Sequence, residues 1–375
     1  MENPEAVSQR PHYQKCGHTP CNRDEDTRWF VVNVKIHGKT LTITVCPDEF
    51  QNSPTRLDEF NQYLEMLQLD SEGEWPSDEE EEDDDDDMHR GGESPAQHPM
   101  LDLSLDGCYE WAVRPFLPSL EEIAPRPSDG ATITLQHFFS GESFDASLNA
   151  VDDTLVPGDI LARDEMENVV GNAGILWKTT CPIFATAEVE VLSDDPTYIL
   201  VDEPSRVRVQ GKQLFFKAFQ DPDDSIGAHE VLTLEKIFKA RFNQQEVRTS
   251  RLYGIVEDDK SQVIGLLLHY IQVDDTLHDK VIDLGSSGSD LKDKWKRQVT
   301  GTVEALHKAG IVWGDVKASN VLVDTAGDAW VTDFGGGHTE GWVDRDKAGT
   351  IEGDLQGLRA IREFVDTGRD PEIMD

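Results

Sequence analysis

Four polar side chains near the end of the chain have the types and the spacing that a group-transfer reaction needs. Asp315 is followed by Lys317 and Asn320, and Asp333 comes after a short apolar stretch. Asp315 can orient an attacking hydroxyl, and Lys317 can place a cation beside the transferred negative charge. Asn320 and Asp333 can supply hard oxygen ligands to Mg²⁺. Together they predict transfer of the γ-phosphoryl group of ATP to a hydroxyl.

The residues around these positions resemble two motifs of eukaryotic-type protein kinases. Asp-Val-Lys-Ala-Ser-Asn runs from Asp315 to Asn320, and Asp-Phe-Gly runs from Asp333 to Gly335. Protein kinases carry these motifs in the same order, as the catalytic loop and the metal-binding turn. The chain is most similar to kinase-like chains of filamentous fungi that have a Trp-Gly-Asp catalytic loop. The resemblance implies an α+β, two-lobed fold that binds ATP and Mg²⁺.

The resemblance also assigns the nucleotide-binding residues. Lys217, in the strand Leu-Phe-Phe-Lys-Ala-Phe, is expected to contact the α and β phosphates. Glu230 is its expected ion-pair partner from the following helix, with Glu235 as the competitor. Backbone groups of His269 and Ile271, at the end of a buried strand, are expected to hydrogen-bond adenine.

Three features depart from the usual kinase pattern. The catalytic loop contains Trp313-Gly314-Asp315 in place of His-Arg-Asp, and no G-x-G-x-x-G precedes the Lys217 strand. The chain ends forty residues after Gly335, so the large lobe is expected to be truncated. Trp313 is expected to pack beneath the loop, and Asp354 is expected to anchor the loop backbone.

Composition limits the classes of partner. The net charge is −40, with 74 acidic and 34 basic residues, so nucleic acid and anionic membrane surfaces should be repelled. Five cysteines without a framework of pairs, and no apolar N-terminal segment, favour an intracellular protein, cytoplasmic or nuclear. The acidic run Asp78 to Asp87 is either a solubilising spacer or a docking tail for a basic protein partner.

The first part of the chain predicts a small ββα region. Residues 1–28 are polar and are expected to form a mobile arm. Two alternating segments, Trp29 to Ile36 and Lys39 to Cys46, predict a hairpin with a two-residue turn. Ser53 and Pro54 are suited to the N-cap and the first turn of a helix.

These patterns give five segments along the chain. We expect an N-terminal region over residues 1–69, an acidic disordered linker over 70–100, and an irregular β-containing segment over 101–185 that packs on the kinase-like part. The small lobe is assigned to residues 186–271 and the large lobe to 272–375. Within them, strands are predicted at 187–192, 198–201, 206–210, 213–219, 263–271, 321–323 and 330–332, and helices at 229–242 and from 290 onward.

Three functions are compatible with this sequence. The first is a Ser/Thr protein kinase-like phosphotransferase, which Lys317 two residues after Asp315 favours. The second is a small-molecule kinase, which the missing Arg and the short large lobe favour. The third is a pseudokinase that serves as a nucleotide-binding scaffold, which the missing glycine-rich loop favours.

Overall fold

The structure is a computed structural model that describes residues 13–22, 28–72, 101–125, 128, 130–139, 142–163, 180–195, 199–219, 225–285 and 287–373. The acidic run at 78–87, and most of the linker assigned to 70–100, lie outside these residues. The chain divides into two compact units. The first comprises residues 1–133, 137–168 and 195–203, and the second comprises 134–136, 169–194 and 204–375. In the described part of the chain, no helix combines the length and the apolar character that crossing a membrane requires.

The first unit is built around a six-stranded sheet with helices packed against it. The turn between its second and third strands has positive φ at both His37 and Gly38, which suits a tight hairpin. The strands are β1 (Gln14–Asn22), β2 (Arg28–Ile36), β3 (Lys39–Gln51), β4 (Ser143–Val151), β5 (Thr154–Pro157) and β6 (Leu161–Ala162). The helices are α1 (Pro54–Glu72), α2 (Leu105–Val113) and α3 (Leu117–Ile123).

Two expectations for the first unit are wrong. Part of the expected mobile arm forms strand β1, which pairs antiparallel with β2. The side chains of β1 show no regular apolar alternation, so the segment is ordered by its backbone hydrogen bonds to β2. Residues 1–69 and 101–185 were expected to form separate segments. Strand β3 of the first segment instead pairs in parallel with strand β4 of the second, within one sheet. Sequence patterns do not reveal such long-range pairing, because each strand looks the same whichever strand lies beside it.

The start of helix α1 shows a related long-range effect. Ser53 occupies the N-cap position, but its hydroxyl donates to the carbonyl of Gln51 and accepts from the N–H of Asp153. The free N–H groups of Thr55 and Arg56 instead donate to the carboxylate of Asp153. A residue about one hundred positions away therefore satisfies the helix end.

The second unit contains the residues that the sequence analysis singled out. Its strands come first and its helices dominate afterwards. The strands are β7 (Ile183–Ala185), β8 (Glu190–Val191), β9 (Arg206–Val209), β10 (Lys212–Ala218), β11 (Leu252–Glu257), β12 (Val263–His269), β13 (Val273–Thr276), β14 (Val321–Asp324) and β15 (Ala329–Val331). The helices are α4 (Ser225–Ala240), α5 (Leu277–Leu284), α6 (Ser289–Lys308) and α7 (Ile351–Thr367).

The strand-rich part of the second unit is a six-stranded sheet in the order β7-β11-β12-β10-β9-β8. It differs from the predicted small lobe in two ways. Strand β7 lies before residue 186 and pairs in parallel with β11 at one edge. Residues 195–203, which connect β8 to β9, belong to the first unit, and the described residues 199–201 form a turn where a strand was predicted.

The helical part of the second unit packs around helix α6. Trp295, Val299, Val303 and Leu306 recur at helical spacing and are all buried in one core. Gly310, with φ of 70°, follows the end of the helix, and its N–H donates to the carbonyl of His307. The N–H of the next residue donates back to the carbonyl of Leu306, which completes a Schellman motif. The chain thus turns sharply into the loop that carries Asp315.

Helix α7 packs closely against the other side of this loop. A Cβ atom on Gly357 would lie 2.5 Å from Cβ of Val316 and 2.9 Å from its carbonyl oxygen. Only glycine allows the helix to lie this near the loop. Gly301, in the interior of α6, is a suitable contrast because a Cβ atom there would meet nothing within 4 Å.

We therefore expect alanine to act in opposite directions at these two helical glycines. Gly357→Ala should lower the free energy of unfolding by about 1–3 kcal/mol, because the new methyl group overpacks against Val316. Gly301→Ala should raise it by up to about 1 kcal/mol through helix propensity. Urea midpoints of the full chain, followed by tryptophan fluorescence, measure both. Stabilisation by both substitutions would contradict the close packing of α7 on the loop.

Candidate active site

Three elements of the second unit bring charged side chains together at Lys217. Strand β10 carries Lys217, helix α4 carries Glu230, and Asp333 follows β15. Nζ of Lys217 lies 2.8 Å from Oε2 of Glu230 and 3.1 Å from Oδ1 of Asp333. Burial lowers the pKa of Lys217, but the two carboxylates outweigh this effect and raise its pKa above the ordinary value. The lysine is therefore a fixed cation that bridges the two parts of the unit.

The partner of Lys217 is Glu230 and not its competitor Glu235. The side chain of Glu230 is only 3% exposed, and burial raises the pKa of its carboxyl while Lys217 opposes that rise. The backbone of Phe334, like Lys217, favours the charged form of Glu230 and opposes the rise in its pKa. Glu235 is buried as well, but it accepts hydrogen bonds from the N–H of Thr180 and from Lys239. Helix α4 is thus tied through Lys217 to the turn that holds Asp333.

In the loop before β14, Lys317 and Asn320 lie beside the carboxylate of Asp315. Nδ2 of Asn320 donates to Oδ2 of Asp315 at 2.9 Å and to its backbone carbonyl at 3.0 Å. Nζ of Lys317 lies 3.5 Å from the same Oδ2 atom. Asp315 is therefore held by its neighbours in the loop, and its side chain remains 13% exposed.

Thr339 is part of this arrangement, and the sequence analysis did not identify it. Its hydroxyl donates to Oδ1 of Asp315 at 3.2 Å and accepts from Nζ of Lys317 at 3.1 Å. The hydroxyl thus holds the aspartate and the lysine in fixed positions. No pattern in the sequence marks Thr339, because it lies in an irregular segment and reaches the loop only through the fold.

Asp354 anchors the backbone of the same loop. Its two carboxylate oxygens accept hydrogen bonds from the N–H groups of Trp313, at 2.8 Å, and Gly314, at 2.9 Å. Oδ2 also lies 2.7 Å from Nε2 of His307, and the Asp354 side chain is only 1% exposed. Trp313 is buried beneath the loop and donates from its ring nitrogen to the carbonyl of Thr332.

The turn after β15 has the backbone geometry of a constrained site. Asp333 has φ of 57°, a left-handed conformation that costs energy for a residue other than glycine. Its ion pair with Lys217 helps to hold it there. Gly337 lies close to Asp315, because a Cβ atom on it would be 3.3 Å from Oδ2 of that residue. A side chain at this position would crowd the carboxylate.

The end of β12 places His269 and Ile271 at the strand-to-loop transition. The N–H of His269 donates to the carbonyl of Arg251 at 2.9 Å, and the carbonyl of Ile271 accepts from the N–H of Val273 at 2.9 Å. The N–H of His269 and the carbonyl of Ile271 are therefore already engaged within the protein.

Comparison with known proteins agrees with this geometry. Residues 208–344 match the family model of the protein kinase domain. This segment is protein-kinase-like. The match includes Lys217, Glu230, Asp315 and Asp333. It begins in β9 and ends at residue 344, seven residues before helix α7 begins.

Three relatives illustrate the extent of the similarity. Mitogen-activated protein kinase kinase kinase 3 of Mus musculus is 29% identical over 126 residues, which cover 33% of this chain and 20% of that protein. Ribosomal protein S6 kinase alpha-4 of Homo sapiens is 30% identical over 122 residues, 29% of this chain and 15% of that protein. Serine/threonine-protein kinase pim-2 of Danio rerio is 41% identical over 64 residues, 17% of this chain and 21% of that protein. The chain thus spans about a fifth or less of the length of these relatives.

The donor atoms of the kinase-like segment fit a Mg²⁺–nucleotide complex. Because Nδ2 of Asn320 is committed to Asp315, its Oδ1 atom is the one that a cation would take. The Asp333 side chain is 43% exposed and offers a carboxylate. Among the described residues, no group of three His, Cys, Asp or Glu side chains could hold a metal by itself. A cation here would complete its shell with phosphate oxygens and water, as Mg²⁺ commonly does.

We expect Asp354→Asn to destabilise the protein, because an amide has one oxygen where two N–H donors need acceptors. The NH₂ group would face either Trp313 or Gly314, so one buried donor would lose its partner. The free energy of unfolding should fall by about 2–4 kcal/mol. Asp346→Asn, at an exposed position, is the matched control and should change it by less than about 0.5 kcal/mol. Equal urea midpoints for the two variants would show that Asp354 does not anchor the loop.

Proposed function

We propose that this protein is an ATP- and Mg²⁺-dependent phosphotransferase that transfers the γ-phosphoryl group to a hydroxyl. The observation that carries this proposal is the bridge from Lys217 to Glu230 and Asp333. Phosphoryl transfer in protein kinases requires the lysine–glutamate pair and the metal-binding aspartate to be in place together. In this protein, Lys217 contacts both Glu230 and Asp333, and all three residues belong to the second unit.

The nucleotide would be held by residues from both parts of the unit. Lys217 would bind the α and β phosphates, with Glu230 fixing the position of its ammonium group. Asp333 and Asn320 would hold Mg²⁺, which lowers the repulsion between the phosphates and the acidic side chains. His269 and Ile271 would position adenine through backbone groups. A local cation site is needed, because the chain as a whole carries a net charge of −40.

Asp315 and Lys317 would act on the reacting hydroxyl. Oδ1 of Asp315, which accepts from Thr339, is the atom that would orient the acceptor hydroxyl and take its proton. Lys317 would stabilise negative charge on the transferred group. The hydrogen bonds from Asn320 keep the carboxylate from rotating away. Positioning of this kind supplies most of the catalysis in phosphoryl transfer.

A serine or threonine of a protein is the acceptor we favour. Lys317 supports it, and so do the relatives whose names describe serine/threonine-protein kinases. A small-molecule acceptor is the second candidate. Only eighteen residues separate Gly335 from Asp354, which leaves a short segment for docking a peptide.

A pseudokinase is the third candidate, and the sequence between β8 and β9 favours it. The connection between β8 and β9, where kinases carry a glycine-rich phosphate cover, has no glycine in residues 192–205. It contains Asp194, Asp195, Asp202 and Glu203 instead. Without a glycine-rich cover, the nucleotide would depend on Lys217 and Mg²⁺ for its phosphate contacts.

Substitutions of Asp333 and of Asp315 should have different effects on ATP binding and turnover. Asp333→Asn removes a charged ligand of Mg²⁺, so it should weaken metal-dependent ATP binding as well as turnover. Asp315→Asn leaves those ligands in place, so it should lower turnover by about 10²-fold or more while ATP affinity changes little. Calorimetry with ATP and Mg²⁺ measures affinity. Labelled ATP with a protein mixture, and separately with small alcohols, measures transfer and identifies the acceptor class.

Asp346→Asn is the control for a lost exposed carboxylate and should behave as the wild type. If the wild type transfers phosphate and both active-site variants keep full turnover, the assigned roles are wrong. If the wild type binds ATP but transfers phosphate to no acceptor, the pseudokinase function replaces the enzymatic one.

A further inference from the structure

A second candidate site lies at the C-terminal end of helix α4, apart from the charged side chains around Lys217. A cavity of about 560 Å³ is lined there by Phe238, Arg241, Phe242, Arg251 and His269, together with three further residues. These come from the end of α4, the start of β11 and the end of β12. His269 is shared with the proposed adenine site, which uses only its backbone, and the other residues that line the cavity have no role in the proposed phosphoryl transfer.

Arg251 provides the main reason to consider this cavity a binding site. Its Nη2 atom donates to the carbonyl of Val247 at 3.1 Å, but its Nε–H is buried without a hydrogen-bond partner. Burial lowers the pKa of this arginine. Within the described part of the chain, neither Arg251 nor Arg241 forms an ion pair with a carboxylate. This is unexpected in a chain with more than two acidic residues for each basic one.

A buried donor without an acceptor costs about 1–3 kcal/mol, and natural proteins seldom leave such a group unsatisfied. A guanidinium group presents its donors in a planar fork that matches the oxygens of a phosphate or a carboxylate. An oxyanion in the cavity would not touch the Nε–H, which has almost no accessible surface, but its charge beside the accessible part of the guanidinium group would compensate for the missing acceptor. Lys239 contributes less, because it already pairs with Glu235 at 3.1 Å.

His269 adds a neutral donor to these cations. Burial, followed by the charges of Lys212 and Arg251, lowers its pKa, so the ring is neutral near pH 7. Nζ of Lys212 lies 3.2 Å from Nδ1 of the ring. Since Lys212 can only donate, Nδ1 accepts and the ring proton resides on Nε2. The imidazole can thus donate one hydrogen bond to an anion.

We propose that this cavity binds a small aromatic molecule that carries a phosphate or a carboxylate group. The oxyanion pairs with Arg251 and Arg241, and the ring packs against Phe238 and Phe242. The volume is within the range of ordinary small-molecule pockets, which are mostly apolar with a few placed polar groups. The proposal does not depend on the phosphotransferase function, because it uses a different set of side chains.

Calorimetry on the full chain tests this site with three probes: phenyl phosphate, benzoate and uncharged phenol. We expect at least one of the two anions to bind with a Kd below about 1 mM, and phenol to bind at least tenfold more weakly. The anion that binds more tightly identifies the preferred head group. If phenol binds as well as both anions, or if nothing binds at about 10 mM, the proposal is overturned.

Substitutions of the arginines test whether the anions bind in this cavity. Arg251→Gln and Arg241→Gln should each weaken anion binding by about tenfold, the loss expected for one charge-assisted hydrogen bond. Arg359→Gln removes the same charge at an exposed position on α7 and should leave the affinity unchanged. If Arg251→Gln fails to fold, Arg241→Gln still decides the question, because Arg241 is exposed.

Lys217→Met separates this site from the proposed nucleotide site. It removes the cation that would bind phosphates there, so anion binding to the cavity should persist in this variant. Loss of phenyl phosphate binding in Lys217→Met, with full binding in Arg241→Gln and Arg251→Gln, would place the anion at the nucleotide site and overturn the proposal.

Discussion

The arrangement of the second unit depends on one lysine. Lys217 connects strand β10 to helix α4 through Glu230 and to the turn after β15 through Asp333. A buried carboxylate such as Glu230 is stable only when a cation and hydrogen-bond donors compensate for its lost hydration. Lys217 is that cation, and the backbone of Phe334, next to Asp333, also favours the charged form of Glu230. The position of α4, the conformation of the turn and the charge of Lys217 are therefore set together.

Asp354 has the corresponding role on the other side of the site. It holds the N–H groups of Trp313 and Gly314, so the loop presents Asp315 at a fixed place. Gly357, in the same helix, allows the close approach that this contact requires. Asp315 is then held in its own right by Asn320 and Thr339. Rigid elements thus position each member of the site, and the loop itself has little freedom.

The sequence predicted the parts of this protein whose signals are local. Asp315, Asn320 and Asp333 lie in short motifs with fixed spacing, and the segment around them is protein-kinase-like. Long-range relations were not predictable in the same way. Thr339 bonds Asp315 from an irregular segment, Asp153 caps a helix that starts at residue 54, and β4 joins a sheet formed by strands near the N-terminus. Each of these contacts forms only in the completed fold and produces no periodic pattern in the sequence.

We propose above all that Lys217, Asn320 and Asp333 form one site for a nucleotide and a metal ion. The melting temperature of the purified chain, with ATP and Mg²⁺ together and with each alone, tests this most directly. At ligand concentrations about 100-fold above Kd, binding adds about 2.7 kcal/mol, which should raise the melting temperature of the second unit by on the order of 5 °C. Neither component alone should match that shift, and Lys217→Met should abolish it. No shift with the combination, or an equal shift in Lys217→Met, would contradict the account.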